Sequence, residues 1–301
     1  MSLTDELASY VKSRPAVVPE QLLPEFEAHP FRQIILDSHE RYNELIRNKG
    51  KLGVPTGIHA FDADSGGLKD GTMIVIAGET GMGKSTIAIN FANTALKLGM
   101  GVALFSLEMA ADEIADMLVS MNCDVNRNAF NTGYFADTDI ERITAKTVEL
   151  SQYPLYIDDA PMMNAKQIRH RVMQLKAEDK IRLVIVDYAQ IVSPENQQEP
   201  REQQVAKIAR ELRALAKEAR LPVVVLSQLN DEGKLRESRV LAHEAHIVGQ
   251  VQPTDTGGLQ LRLYKGRRVP KKTYDLVFNA QYCRIENPKP VTNPKWSAKD
   301  D

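Results

Sequence analysis

A glycine-rich stretch of eight residues, from Gly78 to Ser85, constrains the fold of this chain more than any other feature. It reads Gly-Glu-Thr-Gly-Met-Gly-Lys-Ser, which fits the phosphate-binding pattern of a glycine, any four residues and Gly-Lys-Ser/Thr. An uninterrupted apolar run over 73–77 precedes it, and apolar residues at helical spacing follow it over 86–92. A buried strand, a glycine-rich turn and a helix therefore stand in the order that a P-loop needs.

The P-loop pattern predicts a role for each part of the stretch. Its glycines let the backbone wrap around phosphates, so that N–H groups and the helix N-terminus face negative charge. Lys84 would reach the β and γ phosphates, and the Ser85 hydroxyl would ligate Mg²⁺. The alternative is a glycine-rich turn that binds nothing. We expect ATP and Mg²⁺ to bind here, through Gly78, Glu79, Thr80, Gly81, Met82, Gly83, Lys84, Ser85 and Thr86.

The rest of the chain alternates between apolar runs and helical patterns. Strands are predicted for the apolar runs 101–106, 155–157, 182–187 and 221–226. Helices are predicted near 110–122, 138–151, 164–177 and 205–219. This order predicts an α/β fold, with a mainly parallel sheet and helices on both faces. Antiparallel strands that finish the sheet at the C-terminal end are predicted for 259–263, 274–278 and 281–285.

The ends of the chain differ in composition from this core. Residues 1–30 contain several prolines and predict a flexible arm, and the proline-rich, charged residues 287–301 predict a disordered tail. Helical apolar spacing predicts a helix over 31–49, ahead of an ATPase-type domain over 50–286. That helix either packs on its own domain or docks on a neighbouring subunit.

Three polar side chains follow the predicted strands at their carboxyl ends, where parallel sheets bind ligands. Asp187 would hold Mg²⁺ opposite Ser85, or it caps the next turn. Glu108 could orient and deprotonate an attacking water, or it is a surface acid at a helix start. Gln228 could hydrogen-bond the γ-phosphate, or it is a polar strand end without a role. The sheet would gather all three beside the P-loop.

Composition narrows the class of protein further. The formal net charge of −2 gives no indication, for or against, of nucleic-acid binding by the molecule as a whole, so any such site must be a local basic patch. Cys123 and Cys283 stand far apart and outside metal-ligand spacings, which is typical of core thiols in a reducing compartment. The N-terminus lacks a signal-peptide pattern, and no apolar run approaches the ~18 residues of a membrane span. We therefore expect a cytoplasmic protein that does not enter a membrane.

Several motifs together resemble a known family. They are Gly78 to Ser85, Ser-Leu-Glu-Met over 106–109, Leu-Val-Ile-Val-Asp-Tyr-Ala-Gln over 183–190, Ser-Gln-Leu-Asn over 227–230 and Leu-Arg-Glu-Ser over 235–238. In this order and spacing, over 31–286, they resemble the C-terminal motor domain of DnaB-type replicative helicases. The resemblance implies a RecA-like core that assembles as a six-membered ring. It also implies hydrolysis of nucleoside triphosphate at subunit interfaces and 5′–3′ movement along single-stranded DNA.

The resemblance also implies residue roles. Lys84 and Ser85 would contact phosphates and Mg²⁺, Glu108 would be the catalytic base, Asp187 would hold Mg²⁺, and Gln228 would link phosphate to the DNA loop. Lys265-Gly266-Arg267 resembles the family's Lys-any-Arg element, in which the arginine acts as a finger on the neighbour's nucleotide. From the residues alone, this run also fits a solvated basic turn. The segment resembling the DNA-contacting loop contains Arg236, Glu237 and Arg239.

The chain departs from the family pattern in places that concern its partners. An arm and a linker-type helix stand where the family has an N-terminal domain, so primase binding by the usual route is doubtful. Arg239 and Asp231 replace a glycine and a basic residue of the family's DNA-contacting segment. The expected partners are single-stranded DNA, a homo-hexamer, and a helicase loader or other replication proteins. Two functions are compatible with these residues: an ATP-dependent helicase, or a RecA-like ATPase that loads or regulates a replicative helicase without unwinding DNA.

Overall fold

The computed structural model describes residues 30–47, 53–189, 192–194, 198–229, 238–254 and 258–288. It divides the chain into two units, one ending at Arg47 and one beginning after it. The described part of the first unit is mainly helix α1, Phe31–Arg47, and Phe31, Ile34, Ile35, Leu36 and Tyr42 of this helix are exposed. The predicted arm up to residue 29, residues 48–49 of the predicted helix and tail residues 289–301 lie outside the described residues.

The second unit alternates helices and strands along the chain. Its α-helices are α2 His59–Ser65, α3 Lys84–Lys97, α4 Ala111–Cys123, α5 Arg127–Thr132, α6 Asp137–Ser151, α7 Ala165–Ala177, α8 Arg201–Ala219 and α9 Ser238–Glu244. Its strands are β1 Met73–Gly78, β2 Val102–Ser106, β3 Leu155–Asp158, β4 Leu183–Asp187, β5 Val223–Gln228, β6 Ile247–Pro253, β7 Leu259–Gly266, β8 Thr273–Asn279 and β9 Arg284–Glu286.

These strands form one sheet in the order β3-β2-β4-β5-β1-β6-β7-β8-β9. The pairs from β3 to β6 are parallel, and the pairs from β6 to β9 are antiparallel. The predicted mainly parallel sheet with antiparallel strands at its C-terminal end is therefore confirmed.

Successive side chains of β1 point to opposite faces of the sheet, and helices cover both faces. Ile74 and Ile76 point into one apolar core, which α3 and α4 share, whereas Met73 and Val75 point into a second core with α7 and α8. A strand that is buried on both faces needs a continuous apolar run, which is the signal that predicted β1, β2 and β4.

The structure corrects the sequence prediction at the C-terminal end of the sheet. Strand β6, which the sequence did not predict, pairs in parallel with β1 and carries the antiparallel strands. The predicted strand over 281–285 is wrong in its first half, because Ala280–Tyr282 forms a 3-10 turn and only Arg284–Glu286 is a strand. The Asn90 side chain holds this segment on α3, with 2.9 Å bonds to the Cys283 carbonyl and the Ile285 amide.

Asn287 marks a second difference, at the predicted start of the tail. Its side chain accepts a hydrogen bond from the His59 amide at 2.8 Å and donates one to the Gly57 carbonyl at 2.8 Å. This residue is therefore part of the body of the second unit. None of the helices in the described part of the chain combines the length and apolar composition of a membrane span.

Candidate active site

The P-loop connects the end of β1 to the start of α3. Gly81 and Gly83 have φ angles of 76° and 81°, a left-handed conformation that side chains with a Cβ rarely adopt. Gly83 is the residue immediately before α3, and a Cβ there would lie 3.4 Å from the Leu259 side chain. The two glycines therefore turn the chain sharply, so that the N-terminus of α3 faces the carboxyl edge of the sheet.

Strand register brings the predicted polar residues to this same edge. Gly78 pairs with Gln228 across β1 and β5, and Ser106 pairs with Asp187 across β2 and β4. The loops that follow the strands are also joined, because the Leu107 amide donates to the Asp187 carbonyl at 2.8 Å. On the other side, the Leu229 amide donates to the Gly78 carbonyl at 3.1 Å. The structure thus brings Glu108, Asp187 and Gln228 together beside the P-loop.

An open cavity of about 200 Å³ lies at this edge. It is lined by Thr80, Gly81, Gly83, Lys84, Ser85, Thr86, Glu108, Tyr188 and Gln228. Tyr188 was not among the predicted site residues. The signal that could have found it is its position directly after Asp187, where the chain leaves the strand at the same edge. Burial, followed by the charges of Glu108 and Asp187, raises the pKa of its phenol.

Lys84 is a buried lysine with one hydrogen-bond acceptor and three negatively charged residues near its ammonium group. Its Nζ donates to the Glu79 carbonyl at 2.7 Å, so Glu79 contributes a backbone oxygen to the site. Burial lowers the pKa of Lys84, and the negative charges of Asp187, Glu108 and Glu79 oppose that effect. An ammonium group that has lost much of its water interacts strongly with phosphate oxygens that come within a few ångströms of it.

The environment of Asp187 strongly disfavours the charged form of its carboxyl group. Burial raises its pKa to about 6 and Glu108 adds to the rise, while a hydrogen bond from Ser85 and the charge of Lys84 oppose it. Its Oδ1 atom is buried and has no hydrogen-bond partner within the described ranges. Such an orphaned carboxylate oxygen beside a hydroxyl fits Mg²⁺, which prefers oxygen ligands.

The described residues contain no group of three or more His, Cys, Asp or Glu side chains suited to a metal ion. Mg²⁺ in nucleotide sites needs only one or two protein ligands, because phosphates and waters complete its coordination. The pair of Ser85 and Asp187 therefore fits a magnesium ion that arrives with a nucleotide, rather than a resident metal in an all-protein cage.

Gln228 contacts the P-loop directly. Its Nε2 donates a short hydrogen bond to the Thr80 hydroxyl. Gln228 is the last residue of β5, so this hydrogen bond joins the end of that strand to the P-loop.

Arg267 and Lys265 lie at the opposite end of the parallel strands from the P-loop, beside the start of β1. Gly266 pairs with Ile247 at the start of β6, and the Arg267 amide donates to the His246 carbonyl at 3.0 Å, next to the start of β1. The length of β1, roughly 17 Å at about 3.3 Å per residue, separates this end from the P-loop. Arg267 is exposed.

Lys265 has partners of its own in this arrangement. Its Nζ donates to the carbonyls of Ala242 and His243, at 2.9 and 2.8 Å, at the C-terminal end of α9. A cation at this end of a helix is favoured by the helix dipole. Of the predicted DNA-contacting residues, Arg236 and Glu237 lie outside the described residues, and Arg239 is an exposed residue in the first turn of α9.

Comparison with known proteins finds related sequences and structures. The family model of the DnaB-like helicase C terminal domain matches residues 53–287. The replicative DNA helicase DnaB of Leifsonia xyli is 34% identical over an alignment of 259 residues, which covers 79% of this chain and 57% of that protein. The chain therefore spans less than two thirds of this relative's length.

Solved structures give the same fold. One solved ATPase domain superposes with a TM-score of 0.82 at 23% identity, over 87% of this chain and 100% of that one. A DnaB-like replicative helicase, solved in a study of its interactions with primase, gives a TM-score of 0.78 at 24% identity, over 95% and 75% of the two chains. These matches confirm the expected RecA-like architecture.

Proposed function

Because the chain belongs to the family of the DnaB-like helicase C-terminal domain, we propose that it is an ATP-dependent DNA helicase. It works as a hexameric ring that translocates 5′–3′ on single-stranded DNA during replication, in the cytoplasm. The observation that carries this proposal is the meeting of Lys84, Asp187, Glu108 and Gln228 at one sheet edge. A lysine for phosphates, a carboxylate suited to a cation and a second carboxylate at the cavity are the parts that phosphoryl transfer to water needs.

Each side chain has a part in hydrolysis that follows from its surroundings. Lys84 and the amides at the start of α3 hold the β and γ phosphates of ATP, and Ser85 with Asp187 would hold Mg²⁺. Bound Mg²⁺ supplies positive charge beside the phosphate that is transferred. Glu108 is exposed at the cavity, where it orients a water and takes its proton. Gln228, which contacts Thr80, responds to the γ-phosphate.

Arg267 acts on the nucleotide of a neighbouring subunit. It is exposed and a strand's length away from the P-loop of its own chain, which supports action across an interface. A guanidinium is always charged and is suited to the charge that spreads over the transferring phosphoryl group. The bonds of Lys265 to the carbonyls at the end of α9 support a positioning role for Lys265 beside Arg267.

Single-stranded DNA passes along the loop that ends at α9, where Arg236, Glu237 and Arg239 are the proposed contacts. Arg239 is exposed, as a contact to phosphate requires. Further copies of this chain complete the ring, and a helicase loader or another replication protein is a further proposed partner. The solved DnaB-like relative is described with primase.

A strand-displacement assay on forked DNA, with ATP hydrolysis measured with and without single-stranded DNA, tests the function. The wild-type chain should hydrolyse ATP faster with DNA present and should separate the fork, whereas Lys84→Ala should do neither. ATP hydrolysis without strand displacement would favour the loading or regulating ATPase. Equal turnover in the wild-type chain and Lys84→Ala would refute the proposed site.

A further inference from the structure

His246 connects three elements at the edge of the sheet where Arg267 lies. It stands between α9 and β6, and its amide donates to the Met73 carbonyl at 2.8 Å. The Met73 amide donates to the ring Nδ1 of His246 at 3.1 Å. The carbonyl of His246 accepts the amide of Arg267 at 3.0 Å. Through one residue, the segment that carries Arg267 is therefore bonded to the first residue of β1.

The ring nitrogen is a necessary part of this connection. Met73 is fully buried, so its amide needs an acceptor, and a buried donor without one is costly. A nitrogen that accepts a hydrogen bond carries no proton, so His246 is neutral with its hydrogen on Nε2. Burial, and then the charges of Arg267, Arg213 and Lys265, lower the pKa of His246 and keep the ring in this form.

Positively charged side chains surround His246 and the segment that carries Arg267. Burial, and then the charges of Arg267 after β7 and Arg213 on α8, lower the pKa of Lys265 on β7, and all three cations lie near the half-buried ring of His246. The carboxylate of Glu244, at the end of α9, pairs with Arg213 at 2.7 Å. Among these charges, the bond from the Arg267 amide to the His246 carbonyl fixes the backbone at the start of the Arg267 segment.

We infer that His246 is a positioning residue for Arg267, holding the backbone of the finger segment on β1 while the guanidinium reaches the neighbouring subunit. This inference rests on the proposed action of Arg267 across the interface. It adds that the finger is aligned by the strand that ends in the P-loop of its own subunit. The P-loop then follows one end of β1, and His246 attaches the finger segment to the other end of the same strand.

Three substitutions at two histidines separate positioning from general destabilisation. In His246→Ala the Met73 amide loses its acceptor, whereas in His246→Asn an oxygen stands the same number of bonds from Cα as Nδ1 does. His243→Ala is the matched control, because that side chain is 86% exposed at the same helix end. His246→Ala should bind Mg-ATP as the wild type does but lose up to about 100-fold in turnover, the scale of a 1 Å misplacement. His246→Asn should recover most of that loss, and His243→Ala should show none.

Mixed rings give the decisive readout. When His246→Ala is mixed with Lys84→Ala, an interface with an intact P-loop on one side and a well-placed Arg267 on the other forms only between unlike subunits. Activity should therefore reappear, as it should when Arg267→Ala is mixed with Lys84→Ala. A purely structural defect would damage the P-loop at the end of β1 in the same subunit, and mixing would not restore turnover.

The two mixtures also distinguish the failure of this inference from the failure of the proposed function. Recovery with Arg267→Ala but not with His246→Ala, in rings shown to have exchanged subunits, would overturn the role of His246 alone. No recovery in either mixture would overturn the finger itself. If His246→Ala does not fold, His246→Gln, which moves the acceptor outward by one bond, is assayed with the same outcomes.

Discussion

Single side chains determine the chemistry of the site. Burying the carboxylate of Asp187 there lowers the stability of the fold whenever that group is charged. A carboxylate with an ordinary pKa of 3.8 is buried until its pKa rises to about 6. At neutral pH the folded protein therefore contains a charged group in a place that disfavours charge. Residues at functional sites often carry such a conflict, because a cation that arrives with the substrate removes it.

Asp187→Asn should stabilise the metal-free, nucleotide-free protein at pH 8, while abolishing turnover. The folded-state pKa lies above the unfolded-state value, so the charged carboxylate destabilises the fold fully above pH 6 and not at all below about pH 3.8. A shift of this size corresponds to about 3 kcal/mol at most. Chemical denaturation of both proteins with EDTA should give a higher free energy of unfolding for the variant at pH 8 and a much smaller difference near pH 4. An advantage that is equal at both pH values would exclude the charge as its cause.

Glu108→Gln should bind ATP tightly and hydrolyse it very slowly. The substitution keeps the shape and hydrogen-bonding groups of an exposed residue at the cavity, but it removes the base. We expect a loss of about 10²-fold or more in turnover, with the dissociation constant of Mg-ATP almost unchanged. Titration with a fluorescent nucleotide and a single-turnover assay measure the two quantities. If binding weakens in parallel with turnover, Glu108 has a structural role.

Among the elements, the ones that touch the site were the most predictable. The run before Gly78 and the runs that end at Ser106 and Asp187 are continuously apolar because both faces of these strands are covered. The same logic fails for β6, whose Gly249 leaves room for Leu261 and whose Gln250 and Gln252 interrupt the apolar pattern. Its place beside β1 is decided by contacts distant in sequence, which a local pattern does not record.

The residues of the site likewise divide into those with a local sequence signal and those placed by contacts distant in sequence. Lys84, Glu108, Asp187 and Gln228 could be found because strand ends converge at one edge. Tyr188 could have been found from its position directly after Asp187, but the Thr80–Gln228 hydrogen bond could not, because it joins side chains that are distant in sequence.

DNA contacts are proposed for Arg236, Glu237 and Arg239, at and just before the start of α9. Replacing Arg236 and Arg239 with Ala should weaken binding to single-stranded DNA and reduce its salt dependence, because fewer phosphate contacts release fewer counterions. Turnover without DNA should change little, since Arg239 is exposed and is not among the residues that line the cavity.

Fluorescence anisotropy with labelled oligonucleotides at several salt concentrations gives both the affinity for single-stranded DNA and the slope of its salt dependence. Arg210→Ala, an exposed arginine on α8, is a control for the loss of charge alone. An unchanged slope in the double variant would move the DNA site elsewhere.

At the scale of the whole molecule, the sheet has two functional edges that one subunit does not bring together. The P-loop, Asp187 and Glu108 lie at the carboxyl ends of the parallel strands, and Arg267 lies where those strands begin. If Arg267 acts on the nucleotide of a neighbouring subunit, as proposed, a complete site requires two copies of the chain, and turnover should depend on assembly. The exposed apolar side chains of α1, which the family resemblance likens to an exchanged linker helix, are the feature to change.

Ile34→Asp with Ile35→Asp should leave folded monomers whose turnover resembles that of Arg267→Ala in intact rings. Both changes leave the P-loop whole but remove the finger from it, one by separating subunits and one by deleting the guanidinium. Each should therefore bind ATP and lose about 10³-fold in turnover, the scale of an arginine finger. Arg268→Ala, next to Arg267 and also exposed, should keep near wild-type turnover as the matched control for charge.

Sedimentation velocity measures assembly, and steady-state hydrolysis over a range of protein concentrations measures how turnover depends on assembly. Large particles in the double α1 variant would show that this helix packs within its own subunit. Monomers that hydrolyse ATP at the wild-type rate would show instead that one chain holds a complete site, which the separation of the two edges argues against.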